Sequence, residues 1–250
     1  MRRRFFVERF ADNAATIEGD TAHHLGRVLR AQPGQLYELS DGSKVYLGRI
    51  ETVSRDRVAF ALEEEIPSYQ LAVETTLLLS IVKFDAFEWA LEKATELGVS
   101  AIVPLAAARS ERALLAAADK RADRWRKILA EASQQSRRVR VPELSVALRP
   151  AQAFVGDGQG RAGVVAAKLM LSERIGASPL RSLLLSHVQG RAQAPGKVAL
   201  AIGPEGGWTE EEFETALAAD FQEASLGKLI LRTETAVIAA LASLNFAFGA

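Results

Sequence analysis

Apolar and polar positions along the chain follow two rhythms in succession. The first 70 residues carry the two-residue alternation of half-buried strands. LYELSDGSKVYLGRI (Leu36 to Ile50) alternates on both sides of Asp41-Gly42, a hairpin turn signal. RVAFAL (Arg57 to Leu62) predicts a further strand. EEEIPSYQ (Glu63 to Gln70), three carboxylates and then a proline, predicts a linker. From Val73 the period lengthens. VETTLLLSIV predicts a buried strand, and AFEWALEKATELG then sets Phe87, Ala90, Leu91, Ala94 and Leu97 at helical spacing, with Gly98 as the stop. AIVPL (Ala101 to Leu105) predicts a strand. DKRADRWRKILAEASQQSRR predicts a long helix with Trp125, Ile128, Leu129 and Ala132 inward. GVVAAKLML, KVALAIG and SLGKLILR are strand candidates, and TETAVIAALASLNFAF is a mostly apolar final helix. Strands alternating with helices argue for a parallel sheet covered on both faces. The plan is a small β domain over 1–70 and a larger α/β domain over 71–250.

Composition narrows the class without choosing within it. The chain has 250 residues, 48% hydrophobic and 25% charged, as an ordinary globular protein has. Lys+Arg and Asp+Glu balance at 31 each, so overall charge does not advertise nucleic acid. The absence of cysteine excludes disulfides, thiol nucleophiles and zinc-thiolate sites. No apolar run approaches the roughly 18 residues of a membrane span. MRRRFFVERF lacks the apolar centre of a signal peptide, so a cytoplasmic protein is expected. No His/Asp/Glu cluster has ligand spacing, so no metal is expected.

The densest chemistry lies in LAIGPEGGWTEEEFETA (Leu200 to Ala216). Leu200, Ala201 and Ile202 predict a strand end. Thr209 predicts a helix N-cap, with Glu212 three residues on as a capping box needs, and Glu210 and Glu211 suit the helix dipole. Strand, glycine loop and helix in an open α/β sheet mark a ligand position. The loop lacks the lysine of a phosphate loop and carries Glu205, which argues against a nucleotide triphosphatase. Free backbone groups without a cation suit a neutral or zwitterionic adenosine-type ligand. GDGQG (Gly156 to Gly160) lacks Rossmann spacing and reads as a surface turn.

GPEGGWTEEE resembles the cofactor loop of the SPOUT methyltransferases, the trefoil-knotted superfamily that uses S-adenosylmethionine. LGKLILRTETA (Leu226 to Ala236) is similar to that superfamily's last cofactor loop. The whole chain most resembles one family within it, the uridine-N3 methyltransferases of small-subunit (16S) ribosomal RNA. RRFFV, HHLGRVLRAQPG, EWALEKATELGV, RSERA and RWRKILAEASQQSRR carry that resemblance, and the stretch from about Leu144 to Gln193 matches least.

The resemblance implies a C-terminal knot, a PUA-like N-terminal β-barrel domain, a homodimer and a 16S RNA or small-subunit substrate. It implies cofactor contacts at Leu171, at Gly203, Pro204, Glu205, Gly206 and Gly207, and at Leu226, Gly227, Ile230 and Leu231. The final helix and the TELGV helix are candidates for the dimer surface. RNA contacts are implied for Arg2, Arg4, Arg9, Arg27, Arg30, Arg109, Arg137 and Arg138. Residues 1–60 hold ten Lys/Arg against eight Asp/Glu, whereas Arg109 to Arg140 holds ten against four, the better basic tract. Arg232 is the implied stabiliser of a developing uracil anion, since arginine stays protonated and cannot be the base. Glu205, Glu234 or solvent could be that base. Glu131, Gln135 and Arg138, at i, i+4 and i+7, either line a base pocket or form a surface row. His23 and His24 read as structural. Methylation of a ribose 2′-hydroxyl and a non-catalytic RNA-binding module are the competing functions.

Overall fold

A computed structural model describes residues 3–68, 72–155, 167–189 and 196–248. GDGQG and Arg2 lie outside the described residues. The chain divides into two compact units, one of residues 1–70 with 133–141, the other of residues 71–132 with 142–250.

The first unit is a curled five-stranded sheet. Its strands are β1 (Arg4–Phe6), β2 (Ala14–Glu18), β3 (Leu36–Ser40), β4 (Val45–Val53) and β5 (Arg57–Glu65), in the order β1-β3-β4-β5-β2. All pairs are antiparallel except β1 with β3. Helix α1 (Gly19–His23) runs directly into a π-helical turn, His24–Val28. The alternation read from the sequence has its cause here: Phe5, Leu39, Ile50, Val58 and Phe60 all point into one core. At the β3–β4 hairpin the Asp41 carboxylate accepts N–H bonds from Ser43 (2.9 Å) and Lys44 (2.8 Å), and Gly42 takes φ +87°, open to glycine. Glu63 to Glu65 extend β5 and are not a linker. Glu63 pairs with Arg49, and Glu65 accepts from the Tyr46 hydroxyl at 2.9 Å, so cross-strand partners hold these carboxylates in the ladder.

The second unit is a seven-stranded sheet, parallel throughout. Its strands are β6 (Glu74–Ser80), β7 (Ala101–Leu105), β8 (Glu143–Leu144), β9 (Ala167–Leu171), β10 (Ser178–Pro179), β11 (Lys197–Ile202) and β12 (Gln222–Ser225), ordered β10-β12-β9-β11-β6-β7-β8. The helices are α2 (Phe84–Glu96), α3 (Arg112–Gln135), α4 (Pro150–Val155), α5 (Leu180–Gln189), α6 (Glu210–Ala218) and α7 (Thr233–Phe248). Strands β6, β7, β9 and β11 are nearly all buried, as strands covered on both faces must be.

In this unit two further elements differ from the sequence expectation. Helix α3 begins at Arg112, not near Asp119, because Ala113 to Ala118 are strong helix formers. SLGKLILR is not a strand: β12 ends at Ser225 and Leu226 to Arg232 form a loop. Gly227 turns that chain with φ +137°, and its apolar run faces a cleft where a ladder partner would be needed.

Candidate active site

Strand order decides where the glycine loop meets its neighbours. β9 lies between β11 and β12, and Leu171 stands level with Ala224 while Met170 stands level with Ala201. The three carboxyl ends therefore emerge side by side, and their loops form one rim. Side chains brace the rim. Trp208 donates its indole N–H to the Leu171 carbonyl at 2.9 Å. Thr233 donates its hydroxyl to the Gly203 carbonyl at 3.3 Å, and Arg109 donates Nη1–H to the Gly206 carbonyl at 2.8 Å. Thr209 caps α6 in the capping box expected from sequence. The same buried Glu212 carboxylate also accepts the Ala108 N–H at 2.8 Å, which ties the loop after β7 to the glycine loop.

The glycines answer to these braces. A Cβ on Gly203 would stand 3.0 Å from the Trp208 ring, and one on Gly206 would stand 3.2 Å from Arg109 Cβ. Gly207 has φ +69°, and a Cβ there would meet the Glu173 carboxylate at 2.8 Å. The indole's close approach is thus a reason for glycine at position 203 that lies within the protein itself.

The rim encloses an open cleft. Leu171, Gly203, Pro204, Glu205, Gly207, Leu226, Gly227, Ile230 and Leu231 line it; Gly206 turns to Arg109. Leu229 and Ile230 are 82% and 85% exposed, apolar surface that a bound ligand would cover. Glu205 and Glu173 stand on the walls, and Arg109 reaches the glycine loop through its bond to Gly206. An adenosine with a cationic amino-acid tail fits such walls: apolar side chains for the base, carboxylates for the positive charge.

A second cleft abuts the first. Glu205, Ile230 and Leu231 line both. Its other walls carry Lys83, Asp85 and Trp89 from the start of α2, and Arg232, Glu234 and Thr235 from the start of α7. The two helices pack side by side in the same direction, since Asn245 donates to the Leu97 carbonyl at their far ends. Neither Lys83 nor Arg232 has an ion pair among the described residues. Sequence reasoning placed Arg232 at this edge and missed Lys83, Trp89 and the bracing role of Trp208. Trp89 had a signal: it is out of phase with the buried set of α2.

The arginines sort unequally. Arg4, expected on RNA, is buried and pairs with Glu38 at 2.9 Å, while donating to the Arg137 carbonyl. Its guanidinium is committed inside the first unit. Arg137 stands 3.7 Å from Glu38, and burial lowers Arg138 to about 10, still protonated at neutral pH. Arg109 is engaged with Gly206. Arg9, Arg27 and Arg30 are exposed. The Glu131–Gln135–Arg138 row is broken, because α3 ends at Gln135 and Arg137 turns left-handed with φ 55°. Glu131 faces Lys127 at 3.9 Å on the surface. Among the described residues no helix is long and apolar enough to cross a membrane.

Known proteins resemble this chain in sequence and fold. A family model described as an RNA methyltransferase domain matches residues 69–245, and one described as an RNA methyltransferase PUA domain matches residues 17–63. A ribosomal RNA small subunit methyltransferase E from Synechocystis sp. is 34% identical over 95% of this chain and 75% of its own. The Bacillus subtilis protein of the same name is 31% identical over 98% and 96%. A crystal structure of the Neisseria gonorrhoeae protein of that name, bound to S-adenosyl methionine, superposes with a TM-score of 0.83 at 30% identity, covering 99% of this chain and 98% of that one. By the extent of these matches and the two-unit fold they run through, the chain belongs to the RNA methyltransferase family.

Proposed function

We propose that this protein methylates N3 of a specific uridine in 16S ribosomal RNA of the small ribosomal subunit, with S-adenosylmethionine as methyl donor. The observation that carries the reading is the pair of abutting clefts sharing Glu205, Ile230 and Leu231, with an unpaired arginine, Arg232, in the second. One cleft suits the donor and the other an acceptor, and Glu205 stands on the wall between them. The resemblance of the relatives by name and of a cofactor-bound structure supports the same assignment.

The donor, when bound, supplies a methyl group already activated on a sulfonium. Leu226, Ile230 and Leu231 would cover its adenine, and the loop glycines leave the main chain open to it. The remaining problem belongs to the acceptor, because uracil N3 carries a proton and its lone pair is held in the ring. Arg232 donates to a uracil carbonyl and stabilises the charge that develops there. Glu205 takes the N3 proton, being the one carboxylate among the described residues on the walls of both clefts. Fixing donor and acceptor in adjoining clefts supplies the orientation term.

The first unit holds the RNA through Arg9, Arg27 and Arg30, and the second carries catalysis within a C-terminal knot. The protein works as a cytoplasmic homodimer. Its dimer surface includes the outward row of α7 at Ala239, Ala242 and Phe246, the last of which is 93% exposed. Calorimetric titration of S-adenosylmethionine tests the cofactor site. Wild type binds saturably, and Leu229→Asp, at an exposed cleft position, loses at least tenfold in affinity while keeping its unfolding midpoint. Equal binding by the variant moves the donor elsewhere.

A further inference from the structure

The second cleft holds a tryptophan that packing does not explain. The buried residues of α2 are Phe87, Glu88, Ala90, Leu91, Ala94 and Thr95. Trp89 points away from them and is 44% exposed on the cleft wall. The other two tryptophans, Trp125 and Trp208, are almost fully buried. A large indole left half open beside charged groups is a stacking face for a flat heteroaromatic ring.

The charges around it say which ring. Asp85, Glu205 and Glu234 line the cleft with Lys83 and Arg232, three carboxylates against two cations. That balance repels phosphate and suits an uncharged base with both donors and acceptors. Uracil presents acceptor, donor, acceptor along one edge: O4, N3–H, O2. A carboxylate accepts from the central N3–H, and a cation donates to the carbonyl on each side. Cytosine, with an acceptor at N3, would face that carboxylate unpaired. When N3 gives up its proton, the charge spreads to O2 and O4, which cations on the wall of such a cleft would stabilise.

We infer that Trp89 is the platform on which the acceptor uracil stacks, and that Lys83 is the second cation on its edge, partner to Arg232. This rests on the methyltransferase reading above. Trp89 fixes the ring plane, and Lys83 and Arg232 fix its rotation, so that N3 faces the donor cleft.

The test uses the full-length protein, unmodified 16S ribosomal RNA and saturating S-adenosylmethionine. Trp89→Leu, which keeps apolar bulk, lowers kcat/KM for RNA about 10- to 100-fold. Trp89→Phe, which keeps a ring, stays within about threefold. Lys83→Met lowers kcat about 10- to 100-fold and Lys83→Arg restores most of it. Cofactor affinity and molecular mass in solution match wild type in every variant. Trp89→Leu as active as wild type overturns the inference. So does a loss accompanied by weaker cofactor binding or a changed oligomeric state, which would make Trp89 a packing or subunit contact. A wild type that methylates no RNA overturns the underlying reading and this inference with it.

Discussion

Replacing Gly203 by alanine tests whether the cofactor rim is held by its tryptophan. The added Cβ would meet Trp208 Cε2 and Nε1 at 3.0 Å and Cδ2 at 3.3 Å. The indole has nowhere to retreat: it is buried, lies edge-on to Phe154 at 6.0 Å between ring centroids, and is pinned by its bond to Leu171. Overpacking of this kind costs about 1–3 kcal/mol. Displacing the ring also orphans the buried Leu171 carbonyl, about 1–3 kcal/mol more. Gly203→Ala should therefore destabilise the protein by about 2–6 kcal/mol. Trp208→Phe alone surrenders the bond and some volume, again about 1–3 kcal/mol. In the double variant the smaller ring leaves room for the new methyl, so the two losses overlap by about 1 kcal/mol or more. Urea unfolding of the four proteins without cofactor measures the cycle. Gly203→Ala with wild-type stability, or losses additive within about 0.5 kcal/mol, would refute the brace and return that glycine to ligand access.

Arg4→Ala should cost up to about 3–5 kcal/mol of stability, since it leaves the buried Glu38 carboxylate with only the longer 3.7 Å pair to Arg137; an RNA-affinity loss at unchanged unfolding midpoint would contradict this. Arg27→Ala with Arg30→Ala should leave stability intact and flatten the slope of log affinity for RNA against log salt by about 1.4–1.8, read by filter binding across a salt series. Burial raises the Asp41 carboxyl, yet the backbone N–H bonds of Lys44 and Ser43 outweigh it and hold the group below its ordinary 3.8. A depressed carboxylate stabilises fully above the unfolded value and loses that contribution as pH falls through the folded one. Asp41→Asn should thus narrow the stability difference between about pH 5 and about pH 2.5, measured by urea midpoints at both.

Local chemistry made much of the site legible. The capping box at Thr209 and Glu212 is written in residue type and spacing, and it starts α6 where expected. The parallel sheet followed from unbroken apolar runs between amphipathic helices. Leu226 to Arg232 was misread because three consecutive apolar residues imitate a buried strand; they are apolar for a cleft, and Gly227 was the sign of a turn. Arg4 was misread because a basic N-terminus looks solvated until Glu38, across the sheet, is brought to it by β1–β3 pairing. The Trp208 brace depends on β9 lying between β11 and β12, a strand order no local pattern encodes. Lys83 and Trp89 needed the parallel packing of α2 and α7, which are well over a hundred residues apart in sequence.

The measurement that tests the central claim most directly is the position of the transferred methyl group. Unmodified 16S ribosomal RNA is incubated with the protein and S-adenosylmethionine, digested to nucleosides and analysed by mass spectrometry against 3-methyluridine and 2′-O-methyluridine standards. The account predicts 3-methyluridine at one site, absent when Arg232 is replaced by alanine. A methyl group on a ribose hydroxyl, or on any base atom other than uracil N3, would contradict it.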